Sequence, residues 1–369
     1  MATPTRKLFF IINTLNAGGA ERVISNLCNY FNSRNFDVSI VCLNQSEPAY
    51  YLAPEIKVYT LVDTERKSNF LFRIWYSGVT FFKLLNLLMS HRPKMMISFM
   101  TTANLWAGIA CNVLGIPYIV SERTSPDDTV NKFNYLFRWL SYQIYNKAQM
   151  IVVPSKGMIP CFRKNKSFRK LQNFEVINNP INQFKPSVAT GVHKRKFILA
   201  VGRLDELKGF DLLITAFKSV QRKDVDLLIS GEGPDRKKLE DQILDLDLEH
   251  RVKLIGFKSN LQDYYKQAQL FVLSSRLEGY PNVLVEAMSL GCACVAADCE
   301  FGPADIIEHE KNGLLVKANS PIHLAEAMNR ALEDTVLKAK MASNARLIIH
   351  ANSTENTSEK WEKLVLQSI

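Results

Sequence analysis

Residues 196–213 read KFILAVGRLDELKGFDLL. The apolar run 196–201 has the length and composition of a buried strand, and helical spacing of apolar residues resumes after Gly209. Between them lies a loop with a turn residue at each end, Gly202 and Gly209, and two cations, Arg203 and Lys208. In a parallel sheet, the loop leaving the carboxyl end of a strand is where ligands bind. A guanidinium and an ammonium placed there can neutralise a diphosphate. In isolation the segment is equally a basic loop closed by Gly209.

The same alternation extends outward in both directions. Downstream, strands are expected at 225–230, 252–255, 270–273 and 293–297, and helices at 234–246, 283–290, 304–308 and 323–331. Upstream, a strand at 7–13, a helix at 18–31 and a strand at 38–43 make a β-loop-α-β opening, followed by short strands at 150–153 and 175–178. The stretch 95–121 has no charged residue and is long enough to span a bilayer. Thr101, Thr102, Asn104 and Asn112 interrupt it and Gly115-Ile116-Pro117 forms a turn, so it reads as strand 95–99, helix 102–114 and strand 117–121. The fold class is α/β with two Rossmann-like domains. The seam falls in 182–195, which contains Pro186, Thr190 and Gly191. The expected division is 1–186 with a C-terminal helix in 350–369, and 187–349.

Composition narrows the function classes. The chain has 369 residues, enough for two domains, with 47% hydrophobic and 22% charged residues, as in folded globular enzymes. Seven scattered cysteines (Cys28, Cys42, Cys111, Cys161, Cys292, Cys294, Cys299) include no Cys-x-x-Cys pair, which argues against a disulfide framework or a zinc site and for a reducing compartment. The apolar run near the N-terminus is too short for a signal-peptide core. The formal charge is +10 and sits in one half: 22 Lys+Arg against 10 Asp+Glu in 1–185, 24 against 26 thereafter. An anionic partner for the first half follows. Helices expected at 70–92 (Phe72, Trp75, Phe81, Phe82, with Arg73 and Lys83) and 132–147 (Phe133, Tyr135, Phe137, Trp139, Tyr142, Tyr145) combine aromatic and basic residues, as membrane-interface helices do. Their apolar faces are equally expected of domain core. The run 163–170 adds five basic residues in eight.

Three further segments carry chemistry. Gly18-Gly19-Ala20-Glu21 opens a helix directly after a strand, where free amides favour an anion. Gly231-Glu232-Gly233-Pro234 makes a tight turn at another strand-to-helix junction. Glu278-Gly279-Tyr280-Pro281-Asn282-Val283 leads into a helix that carries Glu286; the loop carboxylate can accept hydrogen bonds from sugar hydroxyls and the helix-start amides can meet a phosphate. Each reads alone as an ordinary turn or cap. The Asp-x-Asp pairs Asp224/Asp226 and Asp245/Asp247 read as solvated surface, so no metal site is expected.

Taken in order, these elements, together with Asn312-Gly313-Leu314-Leu315-Val316, make the chain resemble the retaining glycosyltransferases of family 4 (group 1) over nearly its whole length. The resemblance implies the GT-B architecture, two Rossmann-like domains facing each other across a cleft, with the final helix returning to the first. It implies that Arg203 and Lys208 bind the donor diphosphate and that Glu278 contacts the transferred sugar. Glu286 would bind the ribose hydroxyls, and Gly202, Gly231, Tyr280, Pro281, Asn282 and Val283 would line the nucleotide-sugar site. Gly18 and Gly19 would let the first domain approach the phosphates. The donor implied is a UDP-linked hexose or N-acetylhexosamine, the acceptor a saccharide or lipid-linked saccharide, with no cofactor and no metal. Similar enzymes carry a histidine in the first-domain loop that here reads Ser121-Glu122-Arg123-Thr124-Ser125. Arg123 in that place cannot serve as a base at neutral pH but can bind the sugar or the leaving phosphate; alternatively it pairs with Glu122 or Asp127. The expected enzyme is cytoplasmic and peripheral on an anionic membrane surface, and it binds no nucleic acid, since no recognition helix or nucleic-acid signature is present. A sugar-nucleotide epimerase on the same fold and a nucleic-acid-binding protein are the alternative readings.

Overall fold

The computed structural model describes residues 6–16, 18–63, 70–181, 184 and 191–368, with backbone only for 70–74. The chain forms two compact units, Met1–Asn179 with Thr354–Ile369, and Pro180–Ser353. The second unit thus begins ahead of the expected seam, most of which lies outside the described residues.

The first unit holds seven strands: β1 (Arg6–Ile12), β2 (Phe36–Asn44), β3 (Lys57–Val62), β4 (Met95–Phe99), β5 (Tyr118–Ser121), β6 (Met150–Val153) and β7 (Phe174–Val176). All pair in parallel in the order β3-β2-β1-β4-β5-β6-β7. Leu8–Ile12 and β4 are buried residue by residue, which is why they read as unbroken apolar runs: a doubly covered sheet buries both faces of its central strands. The edge strand β3 escaped the sequence analysis because its first residues are exposed and carry no apolar run. The stretch 95–121 is strand, helix (Thr101–Leu114) and strand. Among the described residues no helix is long and apolar enough to cross a membrane.

Residues expected as one helix over 132–147 form a 3-10 turn at Val130–Lys132 and then the helix Tyr135–Lys147. Asn134 separates them, its side chain accepting a hydrogen bond from the Phe137 amide at 3.0 Å. The last helix, Thr354–Ser368, belongs to this unit. Trp361, Leu364 and Val365 share a core with Leu8, Phe10 and the helix Gly19–Ser33, and the Trp361 ring stacks on Phe99.

The second unit has β8 (Lys196–Val201), β9 (Val225–Ser230), β10 (Val252–Gly256), β11 (Leu270–Leu273), β12 (Cys294–Asp298) and β13 (Leu314–Lys317), parallel in the order β10-β9-β8-β11-β12-β13. Alternate residues of β8 serve two cores. Ile198 and Ala200 pack with Leu213 and Phe217, while Phe197 and Leu199 pack with Tyr265, Leu284 and Met288 on the other face. In both units the strand order reverses beside the first strand, between β1 and β4 and between β8 and β11, and the crevice outside the carboxyl ends there is the binding position of such sheets.

Candidate active site

In the second unit the two loops flanking the reversal point are bonded together. The Lys208 ammonium lies 2.7 Å from Glu278 Oε1, and the Ser275 hydroxyl donates to the same carboxylate oxygen at 2.6 Å. Ser274 Oγ donates to the Lys208 carbonyl at 2.9 Å, and Arg276 clasps Asp211 with two hydrogen bonds of 2.7 and 2.6 Å. Glu278 is buried, and a directed cation and a hydroxyl meet its carboxyl group there. Arg203 extends into solvent, its Nε on Asp205. The structure therefore brings Lys208 and Glu278 together across the ends of the neighbouring strands β8 and β11, with Arg203 on the same loop as Lys208 and extended into solvent.

The glycine loops explain how backbone reaches this edge. Gly231 has φ 146°, and a Cβ there would stand 1.8 Å from the Gly202 carbonyl oxygen. Gly209 has φ 62°, and a Cβ would meet the Ser274 carbonyl at 2.3 Å. The loops after β8, β9 and β11 are thus pressed backbone to backbone, and a side chain at either position would part them.

Glu286, which in isolation reads as a surface residue, is buried within the helix Asn282–Ser289 and accepts a hydrogen bond from the Tyr265 hydroxyl at 3.2 Å. Burial, and then the Glu286 charge, push the Tyr265 phenol well above its ordinary pKa, keeping it a donor. Asn282 and Val283 are half-buried at the start of that helix. The Tyr280 ring is buried in the core and its hydroxyl partners Asn352, which leaves its backbone to face the loop. Pro281 is also buried, in contact range of the space beside Gly302.

In the first unit, Gly18 precedes the helix Gly19–Ser33 in an extended conformation open to any residue. A Cβ there would fall 2.2 Å from Glu21 Oε2, the flexible end of a side chain that can swing aside. The Glu21 side chain folds back over the helix start, and partial burial raises its pKa. Ala17 lies outside the described residues.

Arg123 follows β5 and is paired with neither Glu122 nor Asp127 by hydrogen bond. Its Nη1 donates to Asn179 Oδ1 at 2.5 Å, and the guanidinium lies 5.2 Å from the Phe99 ring centroid and 5.9 Å from that of Trp361. Nε and Nη2 are buried without hydrogen-bond partners, and burial pulls the pKa down to about 9. Glu122 is wholly buried and accepts from Thr101 and Asn104, each at 2.9 Å, and from the Tyr145 hydroxyl. Sequence analysis missed this network and the Ser274-Ser275 pair. The signal available was position for Glu122, Thr101 and the serines, which follow β5, β4 and β11, whereas Asn104 and Tyr145 come from within helices and carried no such signal.

Of the Asp-x-Asp pairs, Asp224, Asp245 and Asp247 are exposed, but Asp226 is buried, 2.7 Å from His193 Nε2 and 3.2 Å from Arg195 Nη1. The surface reading of Asp226 failed because every residue of β9 is buried, on both faces of the strand, and His193 and Arg195 meet the Asp226 carboxylate there. Among the described residues no three His, Cys, Asp or Glu side chains cluster to hold a metal ion.

Two parallel, doubly wound units, each with glycine loops at its reversal point, define the two-Rossmann architecture of GT-B glycosyltransferases. Family models described as "Glycosyltransferase Family 4" and "Glycosyl transferases group 1" match residues 17–183 and 183–348. An uncharacterised glycosyltransferase of Haemophilus influenzae is 27% identical over 97% of this chain and 99% of its own length. The N-acetylgalactosamine-N,N'-diacetylbacillosaminyl-diphospho-undecaprenol 4-alpha-N-acetylgalactosaminyltransferase of Campylobacter jejuni is 29% identical over 92% of this chain and 94% of its own. Among solved structures, Anabaena HepE in complex with UDP superposes with a TM-score of 0.80 at 21% identity, covering 98% of this chain and 100% of that one. The protein belongs to the family 4, group 1 glycosyltransferases.

Proposed function

We propose that the protein transfers a hexose or N-acetylhexosamine from a UDP-sugar, with retention of anomeric configuration and without a metal or other cofactor, to a lipid-linked or oligosaccharide acceptor in surface-polysaccharide or glycan assembly. The observation that carries this reading is the Lys208–Glu278 pair, 2.7 Å apart beside Arg203 at the reversal point of the second unit. Negative charge grows on the departing diphosphate, and cations already held at that spot lower the barrier. Lys208 supplies one directly. Arg203 swings from Asp205 to supply a bidentate second. Glu278, held by Ser275, accepts hydrogen bonds from the transferred sugar, and Glu286 accepts from the ribose hydroxyls. The amides at the start of the helix Asn282–Ser289 and the Gly202 and Gly231 loops admit the phosphates. On the acceptor side, Gly18 and Gly19 leave room at the helix start, and Arg123 has two guanidinium nitrogens, Nε and Nη2, without protein hydrogen-bond partners for a sugar hydroxyl or a phosphate oxygen. Same-face attack, with the leaving phosphate taking the acceptor proton, accounts for retention without a carboxylate nucleophile.

The acceptor class is supported by the relative from Campylobacter, named for a diphospho-undecaprenol substrate, and the donor class by the HepE complex with UDP. The proposed location is cytoplasmic and peripheral on a membrane; the basic first half and the aromatic side chains exposed on two of its helices support the membrane part of that reading. The test is a panel of UDP-, GDP- and ADP-sugars, measured for binding and hydrolysis. One preferred UDP-sugar, weakened by Glu286→Ala, is the expected result; equal indifference to all of them would overturn the reading.

A further inference from the structure

The loop that begins with Arg123 continues into a second cluster of polar groups. Asp127 and Asn131 come from its 3-10 turns, Arg138 from the first turns of the helix Tyr135–Lys147, and Lys164 and Lys166 from the end of the helix Met158–Lys164 and the residues after it. With Ser167 they line an open pocket of 390 Å³. Three cations face one carboxylate. Asp127 is 3.6 Å from Lys164 and accepts from Asn131 Nδ2 at 2.6 Å, Arg138 is fixed by hydrogen bonds of 3.0 and 2.6 Å to the Phe133 carbonyl, and Asn131 Oδ1 is buried without a partner. Burial pushes the Asp127 carboxyl up, but hydrogen bonds from Asn131 and Cys161, and then the Lys164 charge, outweigh it and hold the group below its usual range. The pocket keeps a net positive charge with no ligand of the donor site in it.

Beside the pocket, on the same helix start, Tyr135, Leu136, Phe137 and Trp139 are 81%, 67%, 52% and 51% exposed. Apolar side chains so clustered and uncovered mark a surface that meets another phase. The helix runs back from the carboxyl edge of the sheet, so its start lies at the edge where Arg123 follows β5. In the same unit the helix Phe70–His91, which like Tyr135–Lys147 packs on the helix Thr101–Leu114, also leaves Trp75 and Phe82 half or more exposed.

We propose that this pocket is a phosphate site for an anionic bilayer lipid, with Tyr135, Leu136, Phe137 and Trp139 entering the headgroup boundary around it. Charge selects the lipid phosphate and the apolar ledge selects a bilayer over a phosphate in solution. The site sets the carboxyl edge of the first unit against the surface from which a lipid-linked acceptor would come. It deepens the membrane part of the proposed function and rests on it.

The experiment is co-sedimentation of the whole chain with vesicles of phosphatidylcholine alone or with one quarter phosphatidylglycerol, at low salt. The pocket pair Lys164→Glu/Lys166→Glu is compared with Lys218→Glu/Lys237→Glu, an equal charge change in the second unit, after matching melting temperatures. Expected are binding to the anionic vesicles only, a loss of roughly tenfold or more in the pocket pair, little change in the control pair, and a similar loss in Leu136→Ala/Phe137→Ala/Trp139→Ala. Equal losses in both charge pairs would mean diffuse attraction and overturn the pocket. Binding of inorganic phosphate that competes the protein off vesicles at millimolar concentration would overturn the lipid source. Wild-type binding with no effect of the pocket pair would remove this site alone, whereas no wild-type binding to either vesicle would remove the membrane reading as well.

Discussion

At the scale of single residues, function and stability pull on the same charges. Lys208 is fixed on Glu278 and, in the proposed function, also meets a diphosphate; its removal leaves a buried carboxylate with only Ser275 beside it. We expect Lys208→Ala to lower turnover roughly 100- to 1000-fold, as for the loss of one transition-state donor. Arg203→Ala should lower it less than Lys208→Ala, because the Arg203 side chain starts in solvent; initial rates with the preferred donor decide both. Glu122 supplies a pH prediction. Burial raises its folded pKa above the unfolded value, so between those two values the folded state holds more protons, and stability falls as pH rises through that window. Glu122→Gln removes the titration. The stability difference between wild type and Glu122→Gln should therefore shift toward the variant as pH climbs from below 4.5, read from chemical denaturation at a series of pH values.

At the scale of elements, the proposed donor site is a set of strand-to-helix loops held in register by glycine. Gly231→Ala places a methyl on the Gly202 carbonyl and adds backbone strain at φ 146°. The expected cost is roughly 2 kcal/mol or more in urea unfolding, with a rise in the KM for the donor because the Gly202 loop must move. An unchanged KM in a folded variant would show that the loop contact does not shape the site. These loops were legible beforehand because a short apolar run, a glycine and a helical pattern are local signals. The edge strand β3 and the helices Met158–Lys164 and Leu261–Gln267 were not, because short elements of mixed polarity are decided by what they pack against.

At the scale of the whole molecule, the last helix completes the first unit. Trp361 is fully buried, stacks on Phe99 and shares the Arg123 cation with it. Trp361→Ala should cost about 3–5 kcal/mol, with hydrogen-exchange protection lost in β1 and β4 but kept in β8. Trp361→Phe should cost far less, since the ring contact survives and the indole N–H, which has no partner, is deleted. What the amino-acid sequence determined by itself was the alternation of strand and helix, the two-unit α/β class and the order of the glycine loops, because hydrophobic period and turn chemistry are written within a few residues of each other. Only the tertiary structure decided that Glu286 and Asp226 are buried, that Tyr280 turns into the core, that Arg123 lies on Phe99 and Trp361 beside Asn179, and that Lys208 meets Glu278. Those facts depend on contacts between residues tens to hundreds of positions apart, and parallel strand pairing and the burial of charge set them, which no local pattern encodes.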